Sequence, residues 1–191
     1  MNHQRIKNMD FIPTTLNGAY LIRLERHNDD RGFFSRTFCR REFEKMGLNS
    51  EISQCNLAFN NKAGTLRGMH FQTQPYSEVK LVGCVSGSVF DVIIDLREES
   101  TTYSCWFGTK LSADNLEMLY VPKGFAHGYQ TLVDNAAVSY MVSESYCPEY
   151  ENGVRWNDPV LNISWPLEVI TVSKKDSAWP LLNIKKPKDG P

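Results

Sequence analysis

Residues 80–96, Lys80-Leu81-Val82-Gly83-Cys84-Val85-Ser86-Gly87-Ser88-Val89-Phe90-Asp91-Val92-Ile93-Ile94-Asp95-Leu96, decide the fold class. Two runs rich in Val, Ile and Phe, Lys80 to Val85 and Ser88 to Leu96, flank Ser86-Gly87, a dipeptide that favours a turn. Working outward, Tyr103 to Leu111, Leu119 to Val121, Tyr129 to Leu132 and Ala137 to Ser143 read as further short strands. Turn signals fall at Asn60-Asn61, Pro122-Lys123-Gly124 and Asp134-Asn135. Many short strands at this spacing predict an all-β sandwich or barrel. One segment, Arg40 to Met46, reads as helix, with Gly47 placed as its C-cap. Asp114 to Leu119 predicts a single helical turn.

The chain has 191 residues and a mass of 21.9 kDa, the size of one domain. With 21 Lys and Arg against 22 Asp and Glu, the net charge is −1. That balance excludes the basic surplus that nucleic acid or an anionic membrane requires, so a bound anion needs a local cluster of cations. No run approaches the length of a membrane span, and the N-terminus has no apolar stretch of signal-peptide type. Cys39, Cys55, Cys84, Cys105 and Cys147 are odd in number and form no CxxC, which points to reduced thiols and a cytoplasmic protein. No linker divides the chain. Residues 1–182 are expected to form one domain, and 183–191, with three lysines and two prolines, a loose tail.

Of the four histidines, His3 lies near the terminus and His27 precedes a turn-like Asn28-Asp29-Asp30. His70 and His127 stand apart, because each follows a glycine-bearing turn, in Thr65-Leu66-Arg67-Gly68-Met69-His70 and Pro122-Lys123-Gly124-Phe125-Ala126-His127. The spacing of Pro122, Gly124 and His127 resembles the second motif of the cupin superfamily, small β-barrels whose mouth holds the site. Metal-binding cupins carry an HxH pair in the preceding motif, whereas here Phe71-Gln72 follow His70. Two scattered imidazoles under-coordinate a metal, so no metal is expected. The chemistry is then left to side chains. A histidine paired with a carboxylate makes a general base, a tyrosine donates a proton, and a lysine neutralises an oxyanion. Arg31 and Arg67 have the fork geometry for phosphate. Composition does not bring these groups together.

Taken in order, Asp30-Arg31-Gly32-Phe33-Phe34, Leu66 to Gln72, Lys80-Leu81-Val82, Gly87 to Val92, Leu111 to Asn115, Val121 to Gly128, Arg155 to Asp158 and Ser173 to Asp176 resemble the dTDP-4-dehydrorhamnose 3,5-epimerase family. The resemblance runs from about Arg23 to Leu182. It implies a cupin-type β-barrel (jelly roll) with a few short helices, normally a homodimer, that inverts stereocentres beside the ketone of a nucleotide-linked 4-keto-6-deoxyhexose without a cofactor. It also implies His70 as general base, Asp176 as its carboxylate, Lys80 as the cation at the enolate oxygen and Tyr140 as the acid. Arg31 and Arg67 match diphosphate-binding arginines, and His127 a substrate contact. Gln54, Asn56, Glu151 and Lys175 match substrate-lining positions, and Tyr146 an aromatic ring stacked on the nucleobase. Asp91 and Asp95 read as strand residues outside the site.

The chain also departs from the family pattern. Arg36 stands where a glutamate is usual at the nucleotide end, Gly83 where an arginine follows Lys-Leu-Val, and Ala58 and Asn60 where serines are usual. Exchanging an acceptor-only carboxylate for a donor-only guanidinium at Arg36 predicts an altered base preference. The competing expectations are an epimerase acting at C3 or C5 alone on a differently linked sugar, for example a CDP-sugar, a metal-dependent cupin, and a non-catalytic sugar-nucleotide-binding cupin.

Overall fold

A computed structural model describes residues 9–183. The strands are β1 (Met9–Pro13), β2 (Tyr20–Leu24), β3 (His27–Asp29), β4 (Gly32–Phe34), β5 (Gln54–Asn60), β6 (Thr65–Gln72) and β7 (Lys80–Ser86). They continue as β8 (Ser88–Asp95), β9 (Trp106–Ser112), β10 (Glu117–Val121), β11 (Phe125–Thr131), β12 (Ala136–Val142), β13 (Glu151–Gly153) and β14 (Thr171–Val172). Two short helices, α1 (Arg40–Lys45) and α2 (Lys174–Ala178), complete the inventory with a 3-10 turn at Pro148–Tyr150. Apart from the separate β3–β4 hairpin, the strands form two facing sheets, ordered β1-β2-β10-β7-β12-β5 and β13-β6-β11-β8-β9, with β14 added beside β6. This is the all-β, cupin-type sandwich that the strand pattern and the family resemblance predict. None of the described helices is long and apolar enough to cross a membrane.

Within 80–96 the two runs are strands, but Ser86-Gly87 does more than reverse the chain. It carries the backbone from one sheet into the other, since β7 and β8 belong to different sheets. The burial pattern follows. On β7, Val82 and Cys84 point inward with Lys80, while Leu81 packs outward under α1 with Phe43, Met118 and Tyr120. On β8, Val89 and Ile93 fill the interior, whereas Val92 and Ile94 pack outward against Val154 and Leu161 of the C-terminal segment. Both faces of β8 are covered, which is why its sequence is a continuous apolar run and not an alternating one.

Two local expectations are corrected. Residues 113–116 form a turn and not a helical turn, and β10 begins at Glu117. Tyr103 to Cys105 also form a turn, with Ser104 at φ 60°, and β9 begins at Trp106. The anticipated helix is present, and Gly47 adopts φ +69° just beyond it. The anticipated loose tail, beyond Asn183, lies outside the described residues.

The feature that builds the site is a bulge in β6. In its ladder with β11, His70 pairs with His127 and Arg67 with Tyr129, so three residues on β6 span two on β11. In a regular strand, positions 67 and 70 point to opposite faces. The extra residue flips the phase and turns both side chains into the barrel. Glycines make room for it. Gly68 sits at φ +128° with its Cα against Gly128, where an added Cβ would meet Gly128 Cα at 2.5 Å.

Candidate active site

Between the sheets lie two cavity lobes of about 450 and 480 Å³. They share three residues: His70 from β6, and Lys80 and Tyr140 from β7 and β12 of the facing sheet. One lobe is lined by Gln54, Asn56, Gln72, Glu78, Tyr146 and Glu151, the other by Ala58, Arg67, His127, Tyr129, Lys175 and Asp176.

The His70 imidazole is fixed by a carboxylate that arrives from the far end of the chain. Strand β14 runs parallel to β6, pairing Thr171 with Thr65 and Val172 with Leu66, and so delivers α2 alongside His70. Ser173 caps α2, its Oγ accepting the Asp176 N–H at 3.0 Å. The buried Asp176 places Oδ1 2.7 Å from His70 Nε2 and accepts the Gly68 N–H on Oδ2 at 3.2 Å. Burial pushes the Asp176 carboxyl up, but His70, the Gly68 N–H and Ser173 outweigh it and hold the group below the usual aspartate value. Asp176 is therefore ionised at neutral pH and available to stabilise an imidazolium. Nδ1 of His70 has no protein partner among the described residues, and the ring remains about one-third exposed.

A second histidine pair lies beside the first. His127 Nε2 is 2.9 and 3.1 Å from the two oxygens of Asp91, which is fully buried. Asp91, a β8 strand residue as the sequence reads, is the partner that holds the His127 ring. Its signal was present in the sequence, because a carboxylate inside a doubly covered apolar strand requires a partner. Asp95 is structural, accepting from Arg97, Ser100 and Thr102. Among the described residues, no three His, Cys, Asp or Glu side chains converge where they could hold a metal ion.

Lys80 is largely buried. Its ammonium donates to the His70 carbonyl at 3.2 Å and lies 3.1 Å from Glu78 Oε1. With three protons and one hydrogen bond given to protein, it keeps a donor for a ligand. Tyr140, diagonal to Lys80 across the β7–β12 ladder, makes no hydrogen bond among the described residues. Burial pushes its hydroxyl above the usual phenol value, Arg67 pulls it down, and Glu151 adds to the rise. The group stays protonated at neutral pH.

The binding periphery divides in two. Gln54, Asn56, Ala58 and Asn60 alternate inward along β5. Asn60 Oδ1 takes the Arg67 Nε–H at 2.7 Å, and Asn60 Nδ2 donates to Tyr129 Oη and Ala136 O. Asn60 therefore aims Arg67 along the cavity wall, a positioning role not read from the sequence. At the other rim, Gln54 Oε1 accepts the Tyr146 N–H, Tyr146 Oη donates to Glu151 Oε2 at 2.5 Å, and Glu151 also binds Lys175. Burial raises the Glu151 carboxyl, yet Lys175 and Tyr146 bring it below its usual value.

Arg31 and Arg36 are not brought to this cavity by their own chain. Arg31 sits in the β3–β4 hairpin, pairs with Asp29, and is 89% exposed. Arg36 lies 3.7 Å from Glu42 on α1. The departure at Gly83 is also remote from the cavity, since an added Cβ would point at Met118 on the outer face. Of the departures, only Ala58 and Asn60 face the cavity.

The description dTDP-4-dehydrorhamnose 3,5-epimerase matches residues 13–183. A protein of that name from Methanothermobacter thermautotrophicus is 42% identical over 172 residues, covering 88% of this chain and 92% of its own. The crystal structure of the Bacillus anthracis dTDP-4-dehydrorhamnose 3,5-epimerase with TDP and PPi bound is 42% identical and superposes with a TM-score of 0.88, covering 91% of this chain and 99% of its own. A Legionella pneumophila 3,5-epimerase in complex with dTDP-4-keto-L-rhamnose is 36% identical with a TM-score of 0.86, covering 91% of this chain and 93% of that one. With the family match spanning most of the chain and relatives about 40% identical covered nearly end to end, the chain belongs to the dTDP-4-dehydrorhamnose 3,5-epimerase family.

Proposed function

We propose that this isomerase inverts C3 and C5 of a nucleotide-diphospho-4-keto-6-deoxyhexose, a dTDP-linked sugar being the first choice, by proton exchange through an enolate and without a cofactor. The observation that carries this is the placement of a base and an acid on opposite sheets, with a lysine donor beside them, where the two lobes meet. The C4 ketone acidifies both neighbouring C–H bonds, because the electron pair left behind delocalises onto O4. His70 removes the proton, and its charge is balanced by Asp176. The free Lys80 N–H meets the growing negative charge on O4. Tyr140 returns a proton from the other face, which inverts the carbon. Arg67 and Lys175 supply cations suited to the diphosphate, and the exposed Tyr146 ring, its hydroxyl anchored on Glu151, is offered to the nucleobase.

The test is deuterium wash-in from heavy water, read by NMR at C3 and C5, with dTDP-, CDP- and GDP-linked 4-keto sugars compared side by side. Both carbons are expected to exchange, most rapidly in the dTDP sugar. Exchange at one carbon reduces the assignment to a mono-epimerase, and exchange at neither overturns it. A faster CDP sugar overturns the choice of base.

A homodimer completes the site. The β3–β4 hairpin exposes Phe33 and Phe34, and the outer face of β5 exposes Leu57 and Phe59, an apolar surface suited to a second copy. A partner's hairpin is the route by which Arg31 reaches a diphosphate. Light scattering is expected to give twice the 21.9 kDa chain mass, and a monomer with full activity overturns this arrangement.

A further inference from the structure

Glu78 has no role in the chemistry above, yet it is one of the most costly residues in the cavity wall. It lies in the segment between β6 and β7, just before Lys80, and is 8% exposed. Its backbone neighbour is tied down on both sides: the Val79 N–H donates to Ser143 Oγ at 2.8 Å, and the Ser143 N–H to Val79 O at 3.0 Å. The Glu78 carboxylate is therefore held beside β7 by a fixed backbone and not by chance packing.

Its bonding is lopsided. Oε1 lies 3.1 Å from Lys80 Nζ, whereas Oε2 is buried with no hydrogen-bond partner among the described residues. The structural carboxylates of this chain behave differently. Asp95 takes hydrogen bonds from Arg97, Ser100 and Thr102, and Asp158 from the backbone of Val160 and Leu182. A carboxylate that served stability alone would have both oxygens satisfied, because a buried oxygen without a partner is costly. Among the described residues, the side-chain partner of Glu78 is the lysine that faces the developing charge.

Lys80 has a matching need. A largely buried ammonium loses hydration, and its flexible four-carbon stem leaves the head free to swing. The Glu78 carboxylate, as ion-pair partner, and the His70 carbonyl, as hydrogen-bond acceptor, hold the ammonium in place from two sides. Resting on the epimerase reading, we propose that Glu78 is a positioning residue for catalysis, acting through Lys80 to aim its free N–H at the enolate oxygen.

The test is a double-mutant cycle of Glu78→Gln and Lys80→Met, scored by wash-in at C3 and C5. Glu78→Gln keeps the shape and is expected to lower kcat roughly tenfold, within the coupling range of contacting pairs, with KM changed less than about threefold. In the Lys80→Met background the same substitution is expected to cost nothing further. An equal loss in both backgrounds overturns the proposal, as does wild-type kcat in Glu78→Gln. Should Lys80→Met exchange too slowly to score, Glu78→Asp decides, since retained charge restores most of kcat and equality with Gln overturns the role. A wild-type enzyme that exchanges neither carbon counts against the epimerase reading itself, separately from Glu78. Circular dichroism of each variant separates lost activity from lost fold.

Discussion

His70→Ala is expected to abolish exchange at C3 and C5 together, lowering kcat by about 10²- to 10⁴-fold, the range for removal of a general acid–base group. Both carbons flank one ketone, and the structure supplies one imidazole whose ring nitrogen is bound by an ionised carboxylate while the other is free to face the sugar. His127 does not replace it, because its ring is largely covered, 10% exposed against 31% for His70. The fold should tolerate the change. His70 is partly exposed, and the bulge that presents it rests on Gly68 and Gly128, not on the imidazole. Wash-in by NMR with a melting curve as control checks the prediction. Loss at one carbon with persistence at the other would assign the second proton to another base. Unchanged exchange would return the protein to the class of non-catalytic sugar-nucleotide binders.

How far the sequence reveals this site depends on whether each residue's role is local. His70 and His127 stand out because each closes a glycine-bearing turn, and the short apolar strands announce a β-sandwich. The bulge is not legible. It arises from two glycines on adjacent strands meeting at close approach, a contact between residues 60 positions apart in sequence. Without it, Arg67 and His70 read as residues on opposite faces. Asp176 is obscured for a similar reason, since a five-residue helix has too little periodicity to detect and its position beside His70 depends on β14 joining the sheet. The departures show the converse. Arg36 and Gly83 are conspicuous in the sequence, yet one is paired with Glu42 and the other faces Met118, while the quieter Asn60 holds Arg67 in place. Glu78 gives no sequence signal because its meaning lies in the oxygen without a hydrogen-bond partner among the described residues.

Tyr140→Phe is expected to separate two events that His70→Ala removes together. The substitution deletes one hydroxyl that makes no hydrogen bond among the described residues, so neither packing nor the polar network changes and stability should hold. The proton on that hydroxyl is retained at neutral pH, since burial raises the group above its usual value despite the charge of Arg67. It is therefore placed to protonate the enolate on the face away from His70. In the Phe variant His70 and Lys80 remain, so a proton can still leave, exchange with solvent and return to the same face. Wash-in is thus expected to continue with retained configuration, while inversion falls by about 10²- to 10⁴-fold. Chemical shifts compared with the authentic epimers distinguish the two products in one spectrum. Inversion at the wild-type rate would require another donor on that face, and Lys80, diagonal to Tyr140 on the same sheet, would be the group to test next. Loss of wash-in along with inversion would instead mean that Tyr140 assists the first proton's removal, which the facing-sheet geometry does not support.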